Sequence, residues 1–457
     1  MSGPLVLSAG AGGGAGAWER LGEVLSFRAG YNTTVVLVGV LMLGIAGGVV
    51  GALALLRKRS LVADALSHAT LPGVGLGFIV ASSLGAGGKN VSVLLTGAAV
   101  TGALGVLCVQ AIARWSRLAQ DAAIAIVLSV FFGAGVVILS VVQGMSAGNQ
   151  GGLKAFIYGQ TAAMSVGDAA LMGAIALLSA GAAVLLLKEF AVVAFDEGFA
   201  RATGWPVMAL DLAGMALIVL VTVAGLQAVG LLLIVAILIV PPAAARFWTD
   251  RVGGLVLLSA VLGGASGLLG AGASAVLPGK PTGAVIVLVA GGLFLLSMLL
   301  APRRGLLAAG LRRARLRWRV IEDHALRAML EHTDTHGGAR VPRGALARAC
   351  GWGGSLASWP LRVLIARGLL RREGGDMALT PAGAARAAAV TRNHRLWERY
   401  LIERADIAPS HVDFSADLVE HVLSPSIVAA LENALRAEGR LPSPHPLSAV
   451  EESGARR

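Results

Sequence analysis

Apolar residues in the first 300 positions fall in long runs, at 33–56, 61–83, 91–113, 121–143, 169–190, 207–226, 229–245, 252–274 and 283–301. A helix needs about 20 apolar residues to cross the hydrocarbon core, so these runs predict about nine transmembrane helices. Only a short break at Gly225–Gly230 separates the sixth run from the seventh. Eight crossings with one re-entrant segment is therefore the alternative. Beyond residue 302 the pattern changes. Residues 320–333 read as a helix, and 341–385 read as helix, glycine turn, helix and a short hairpin tipped by Gly374 and Gly375. That order is the one a winged helix-turn-helix follows.

The basic residues orient the runs. Clusters stand at Arg57/Lys58/Arg59, Arg114/Arg117, Lys188/Arg201, Arg246/Arg251 and Arg303/Arg304, and nine alternating crossings put all of them on one side. Basic residues stay on the cytoplasmic side. The N-terminus is thus expected outside and the C-terminal domain in the cytoplasm. Eight crossings would spoil the agreement. The first thirty residues lack a basic stretch ahead of an apolar core, so no cleavable signal peptide is expected.

Composition agrees with a membrane chain. Mean hydropathy is +0.76 and 14% of residues are charged, against about a quarter in soluble domains. The charge is uneven: ten of the 26 acidic residues precede residue 303, while residues 303–457 hold the other sixteen, 24 arginines and no lysine. The expected division is a tail at 1–30, a membrane domain at 31–302, an Arg-rich linker at 303–319, a winged-helix region at 320–385, a second helical region at 386–435 and a tail at 436–457. An arginine bias is what a GC-rich genome produces, so the net charge of +12 argues little for nucleic acid. Cys108 and Cys350 sit in different domains and offer neither a disulfide framework nor a cysteine zinc site.

Several residues carry candidate chemistry. Asp64 and His68 lie one helical turn apart inside an apolar run, on one helix face. Ionisable groups at membrane depth face a cavity or a partner and mark ion paths, and carboxylate plus imidazole suits a first-row divalent metal. A helix cap at Asp64 with His68 as an interior residue is the plainer alternative. SSLGAGGKN at 82–90 imitates a phosphate loop but has Ser83 and Asn90 where the motif needs Gly and Ser or Thr, so no nucleotide site is expected in this chain. In 195–206, FDEGFARATGWP, residues Phe195, Phe199 and Ala202 share one helical face, which suits either a plain loop or a short docking helix. Pro241-Pro242 removes two rungs from the helical ladder of its run, a change tolerated at membrane depth only against protein or a water-filled cavity. The Gly/Ala pattern of 44–54 fits close helix packing. Asp211 and Gln227, near span ends, fit helix-end solvation as well as function.

DALSHATLPGVGLGF at 64–78, LKAFIYGQ at 153–160, FDEGFARATGWP at 195–206 and AVGLLLIVAILIVPPAAAR at 228–246 together resemble the motifs of permeases of the zinc/manganese/iron class of bacterial ABC importers, over about residues 30–302. The resemblance implies a pore of two permeases, as a homodimer or a heterodimer with a paralogue, in the bacterial inner membrane. It also implies a separate ABC ATPase and an extracytoplasmic metal-binding protein. It makes 195–206 the ATPase-coupling segment (Phe195, Asp196, Phe199, Ala202, Gly204) and places Asp64 and His68 near the translocation path. A two-fold dimer would bring two such pairs toward one axis. A permease for a siderophore or cobalamin chelate is the alternative, although it does not require the Asp–xxx–His pair. A membrane-tethered metal-dependent transcriptional regulator is another, although nine spans with buried charge exceed what an anchor needs.

TRNHRLWERYLIERADIAPSHVDFSADLVEHVLSPSIV at 391–428 is similar to the metal-binding and dimerisation region of the diphtheria-toxin-repressor family of iron- and manganese-dependent regulators. The resemblance gives ligand roles for Mn, Fe or Zn to His394, Glu398, Glu420 and His421, with Asp417 at a position where the family ligand varies. His411, Asp413 and Asp323 match less well. The fold expected is thus an all-α polytopic membrane protein followed by a winged-helix and helical metalloregulator-like domain. Trp359 and Pro360 stand in the presumed recognition helix, 354–367, where base-reading side chains are small and polar. DNA is therefore disfavoured as a partner. Metal sensing, dimerisation and an inert fusion remnant remain as readings. The seven arginines at 303–319 suit anionic lipid head groups, or simply a solvated linker helix.

Overall fold

The computed structural model describes residues 16–57, 60–83, 91–145, 161–277, 280–352, 358–404 and 425–437. The chain divides into two compact units, Met1–Ala308 and Ala309–Arg457.

The first unit is helical throughout its described residues. A short helix, α1 (Ala17–Leu25), precedes α2 (Tyr31–Leu56), α3 (Ser60–Ala69), α4 (Leu71–Ser83), α5 (Val91–Trp115) and α6 (Gln120–Gly144). There follow α7 (Val166–Phe195), α8 (Glu197–Ala202), α9 (Val207–Val229), α10 (Leu231–Ala245), α11 (Val252–Val276) and α12 (Thr282–Leu300). Eight stretches are long and apolar enough to cross a membrane, with α3 and α4 together supplying the one at Leu61–Ser83. The ninth apolar run is α10, whose fifteen residues reach only about 22 Å at 1.5 Å per residue. Gly230, at φ 82°, turns the chain from α9 into it. A short helix suffices there because α10 lies inside the bundle: Leu233, Ile234, Ile237 and Leu238 are all buried.

Pro241 and Pro242 sit within α10, and the helix continues past them to Ala245. Pro242 has no N–H for the carbonyl of Leu238, four residues earlier. Gly51 of α2 approaches that carbonyl so closely that a Cβ would collide with it, and Gly47 meets Ile237 in the same way. The freed backbone is thus sealed by protein, as a non-aqueous interior requires. Against α11, Gly44 of α2 abuts the carbonyl of Gly263 and Gly48 that of Ser259. The 44–54 glycines do serve close packing.

The run 61–83 is interrupted at Thr70. Pro72 cannot donate to the carbonyl of His68, and Thr70 turns its hydroxyl back to the carbonyl of Ser67 at 2.6 Å. A proline in the first turn of α4 is well placed, so α3 becomes a separate ten-residue helix.

The second unit begins within α13 (Leu306–His336), which takes in most of the Arg-rich stretch. After α13 come α14 (Arg343–Ala349), α15 (Ser358–Ala366), β1 (Leu370–Glu373), β2 (Asp376–Leu379), α16 (Pro381–Arg404) and α17 (Pro425–Ala437). β1 and β2 pair antiparallel from Leu370↔Leu379 to Glu373↔Asp376. Gly374 and Gly375 have φ of +61° and +107°, the positive values that a two-residue hairpin turn demands. Leu326, Met329, Leu330, Leu346, Leu364 and Met377 form the core beneath the hairpin. This is a winged-helix arrangement. Pro360 lies in the first turn of α15.

Candidate functional site

α3 carries Asp64 and His68. His68 Nε2 lies 3.5 Å from Asp64 Oδ1, and the imidazole meets Phe132 of α6 edge-on, with ring centroids 5.0 Å apart. The flanking Ala63, Ala65, Leu66 and Ser67 are fully buried, so α3 is held by its other faces. The Asp64 side chain is 37% exposed and that of His68 23%. His68 Nδ1 is buried and meets no hydrogen-bond partner among the described residues. An unpaired buried nitrogen costs about 1–3 kcal/mol, and a metal ion is one species that satisfies it.

The segment after α7 is a helix, though a short one. Asp196 caps α8, its Oδ1 accepting the Phe199 N–H at 2.9 Å. Gly204, at φ +84°, ends the segment in a conformation glycine tolerates. Ala200 is buried among Val193, Val207 and Leu210, which fixes α8 to the ends of α7 and α9. Phe195 and Phe199 are left 78% and 58% exposed, with Ala202 also exposed beside them.

Asp211 is not a solvated helix end. It is buried and ion-paired to Arg57, with Nη2 to Oδ1 at 2.7 Å. The same guanidinium reaches Glu197 of α8 at 3.4 Å and donates to the carbonyl of Val193 in the last turn of α7. Sequence reasoning read Arg57 only as a marker of sidedness. The available signal was an acidic residue inside an apolar run that needed a cation somewhere.

In the second unit, His394 and Glu398 stand one turn apart on α16, 3.3 Å between Nε2 and Oε1. His394 is buried, and Arg327 Nη1 lies 2.9 Å from its Nδ1. Asp323, the weaker candidate, pairs with Arg386 at 3.0 Å. Asp417, Glu420 and His421 lie outside the described residues, as do His411 and Asp413. Among the described residues no three His, Cys, Asp or Glu side chains converge on one point. Burial pushes the Cys350 thiol up to about 11, so it is a poor ligand at neutral pH, where metals take the thiolate. The imidazole–carboxylate pair fits Mn, Fe or Zn by donor chemistry, in a pocket where a guanidinium already sits on the imidazole. On α15, Trp359 is 63% exposed and packs edge-on against Trp318 at 4.8 Å.

Residues 31–301 match the family described as "ABC 3 transport family", more than half of the chain. The chain belongs to the ABC 3 transport family. Residues 380–445 match "Iron dependent repressor, metal binding and dimerisation domain", so a repressor-type domain follows the ABC 3 region. The "Manganese transport system membrane protein MntC" of Bacillus subtilis is 36% identical over 425 residues, 93% of this chain and 96% of its own length. Coverage that wide runs through both units. The "Zinc transport system membrane protein TroC" of Treponema pallidum is 39% identical over 259 residues, 57% of this chain and 85% of its own. Among solved structures, "PsaBC from Streptococcus pneumoniae in complex with Fab" superposes with a TM-score of 0.53 at 30% identity, covering 64% of this chain and 99% of that one. The chain is therefore a multi-pass membrane subunit of the ABC transporter type, and the expected fold class holds in both halves.

Proposed function

We propose that this chain is the permease subunit of an importer that moves a divalent transition metal, Mn, Zn or Fe, into the cytoplasm. One observation carries the reading: a carboxylate and an imidazole with an unpartnered nitrogen share one face of a helix in the membrane region. Relatives named for manganese and zinc transport support the choice of cargo, and a chelate permease does not need such a pair. Charged groups facing lipid are costly, so the accessible face of Asp64 and His68 favours cover by a second permease, a copy of this chain or a paralogue, with two pairs near the two-fold axis.

ATP hydrolysis belongs to a separate ATPase subunit that docks on α8, through the exposed Phe195, Phe199 and Ala202. An extracytoplasmic metal-binding protein delivers the ion. In the bacterial inner membrane that the family resemblance implies, the basic clusters favour an N-terminus outside and the second unit in the cytoplasm. There His394 and Glu398, with Asp417, Glu420 and His421, sense metal or support dimerisation. The arginines of α13 suit anionic head groups, and Trp359 and Pro360 on α15, where base-reading side chains are small and polar, disfavour DNA. The test is uptake of Mn²⁺, Zn²⁺ and Fe²⁺ by a strain lacking the gene, before and after restoring it. At least one of the three should fall on deletion and return on restoration; no change in any of them contradicts the reading.

A further inference from the structure

Arg57 is the C-cap of α2, and its side chain is only 10% exposed. Three elements converge on its guanidinium. Asp211 belongs to the second turn of α9 and is itself 8% exposed. Glu197 opens α8. Val193 supplies a carbonyl from the last turn of α7, one of the four that a helix end leaves without an internal partner. A planar guanidinium fork can serve several acceptors at once, which an ammonium cannot do with the same geometry. In the other direction along the chain, α3 begins at Ser60, three residues beyond Arg57, and Asp64 stands in its second turn.

The packing around this junction is incomplete. A small cavity lies against Arg57 and Asp211, lined also by Ala54 of α2, Val62 of α3, Phe190 of α7 and Met215 of α9. Close-packed interiors are stiff, and contacts move between discrete arrangements. A void where four helices meet a buried ion pair leaves room for one element to shift while the pair stays intact. Val62, two residues before Asp64, lines that void, so a displacement there is delivered directly to the first turns of α3.

We infer that Arg57 is the positioning residue that joins the ATPase-docking segment to the helix carrying the path pair: it holds α8 and α9 to the end of α2, so that movement of α8 reaches α3. The inference rests on the transport reading above. Removing one partner of a buried pair leaves the other charge uncompensated, so the junction should fail from either side. A residue that only stabilised the fold would lower abundance and leave the coupling ratio of the surviving molecules unchanged.

The full chain is reconstituted with its ATPase and binding protein, and Mn²⁺ imported per ATP hydrolysed is measured at equal membrane abundance. Arg57→Gln and Asp211→Asn should each lower that ratio by at least about tenfold, since either change leaves a buried charge without its partner. Arg57→Lys should fall between them and wild type. A wild-type ratio in Arg57→Gln overturns the inference. Where Arg57→Gln does not reach the membrane, Arg57→Lys decides: a reduced ratio supports the junction and a wild-type ratio overturns it. A wild-type chain that imports none of Mn²⁺, Zn²⁺ and Fe²⁺ overturns the transport reading and this inference with it. Import by wild type with equal coupling in the variants overturns this inference alone.

Discussion

Arg327 Nη1 lies 2.9 Å from His394 Nδ1 and 3.3 Å from its Nε2, the nitrogen that faces Glu398. A metal ion held by His394 would have to displace that guanidinium, which lies within reach of both ring nitrogens. Arg327→Gln should raise the affinity of the full chain for Mn²⁺ by about tenfold, since a charge-assisted hydrogen bond to the imidazole, worth roughly 1.5 kcal/mol, no longer has to be broken. His394→Ala should abolish that gain, and lower pH should weaken binding in each protein because ligands must be deprotonated. Calorimetry on the purified chain reads all three, and equal affinity in wild type and Arg327→Gln would show that the arginine does not guard the site. At this scale the sequence revealed less than it contained. Asp64, His68, His394 and Glu398 were legible because spacing of four places side chains on one helical face. Arg57 with Asp211 and Arg327 with His394 were not, because those pairs join residues far apart in sequence and only packing brings them together.

Among the elements, α8 presents the sharpest contrast between a buried and an exposed face. Ala200 anchors it while Phe199, and Phe195 at the end of α7, stay uncovered, and aromatic side chains of that kind anchor protein interfaces. Phe199→Asp places a carboxylate on the uncovered face and leaves Ala200 untouched. Gly204→Pro attacks the same segment through the backbone, since proline is locked near φ −65° and Gly204 requires +84°. Both variants should insert normally, yet ATP hydrolysis should no longer respond to metal-loaded binding protein. Normal stimulation in both would reduce α8 to a connector. Elements were the most legible scale, since each of the nine apolar runs corresponds to helix in the described residues. Their lengths and breaks were less so. The stop at Thr70 follows from Pro72, and where α10 passes through Pro241 and Pro242, Gly51 closes on the freed carbonyl of Leu238 and Gly47 on the side chain of Ile237; a hydropathy pattern contains neither contact.

On the scale of the molecule, two compact units combine a transport domain with a repressor-type domain, and the Bacillus subtilis relative aligns across both. The division was visible in the distribution of charge, since acidic residues and arginines concentrate beyond residue 302. The transport domain holds the central claim, that Asp64 and His68 contact the ion in transit. Both project from the accessible side of a helix whose other faces are buried, so alanine there removes the donor atoms and, of the packing, the His68–Phe132 ring contact. The decisive measurement is Mn²⁺, Zn²⁺ and Fe²⁺ uptake by the deletion strain carrying either the wild-type chain or the Asp64→Ala, His68→Ala double variant, at matched membrane abundance. Uptake restored by wild type and reduced to the deletion background by the double variant is the result predicted. Uptake by the double variant equal to wild type would contradict it.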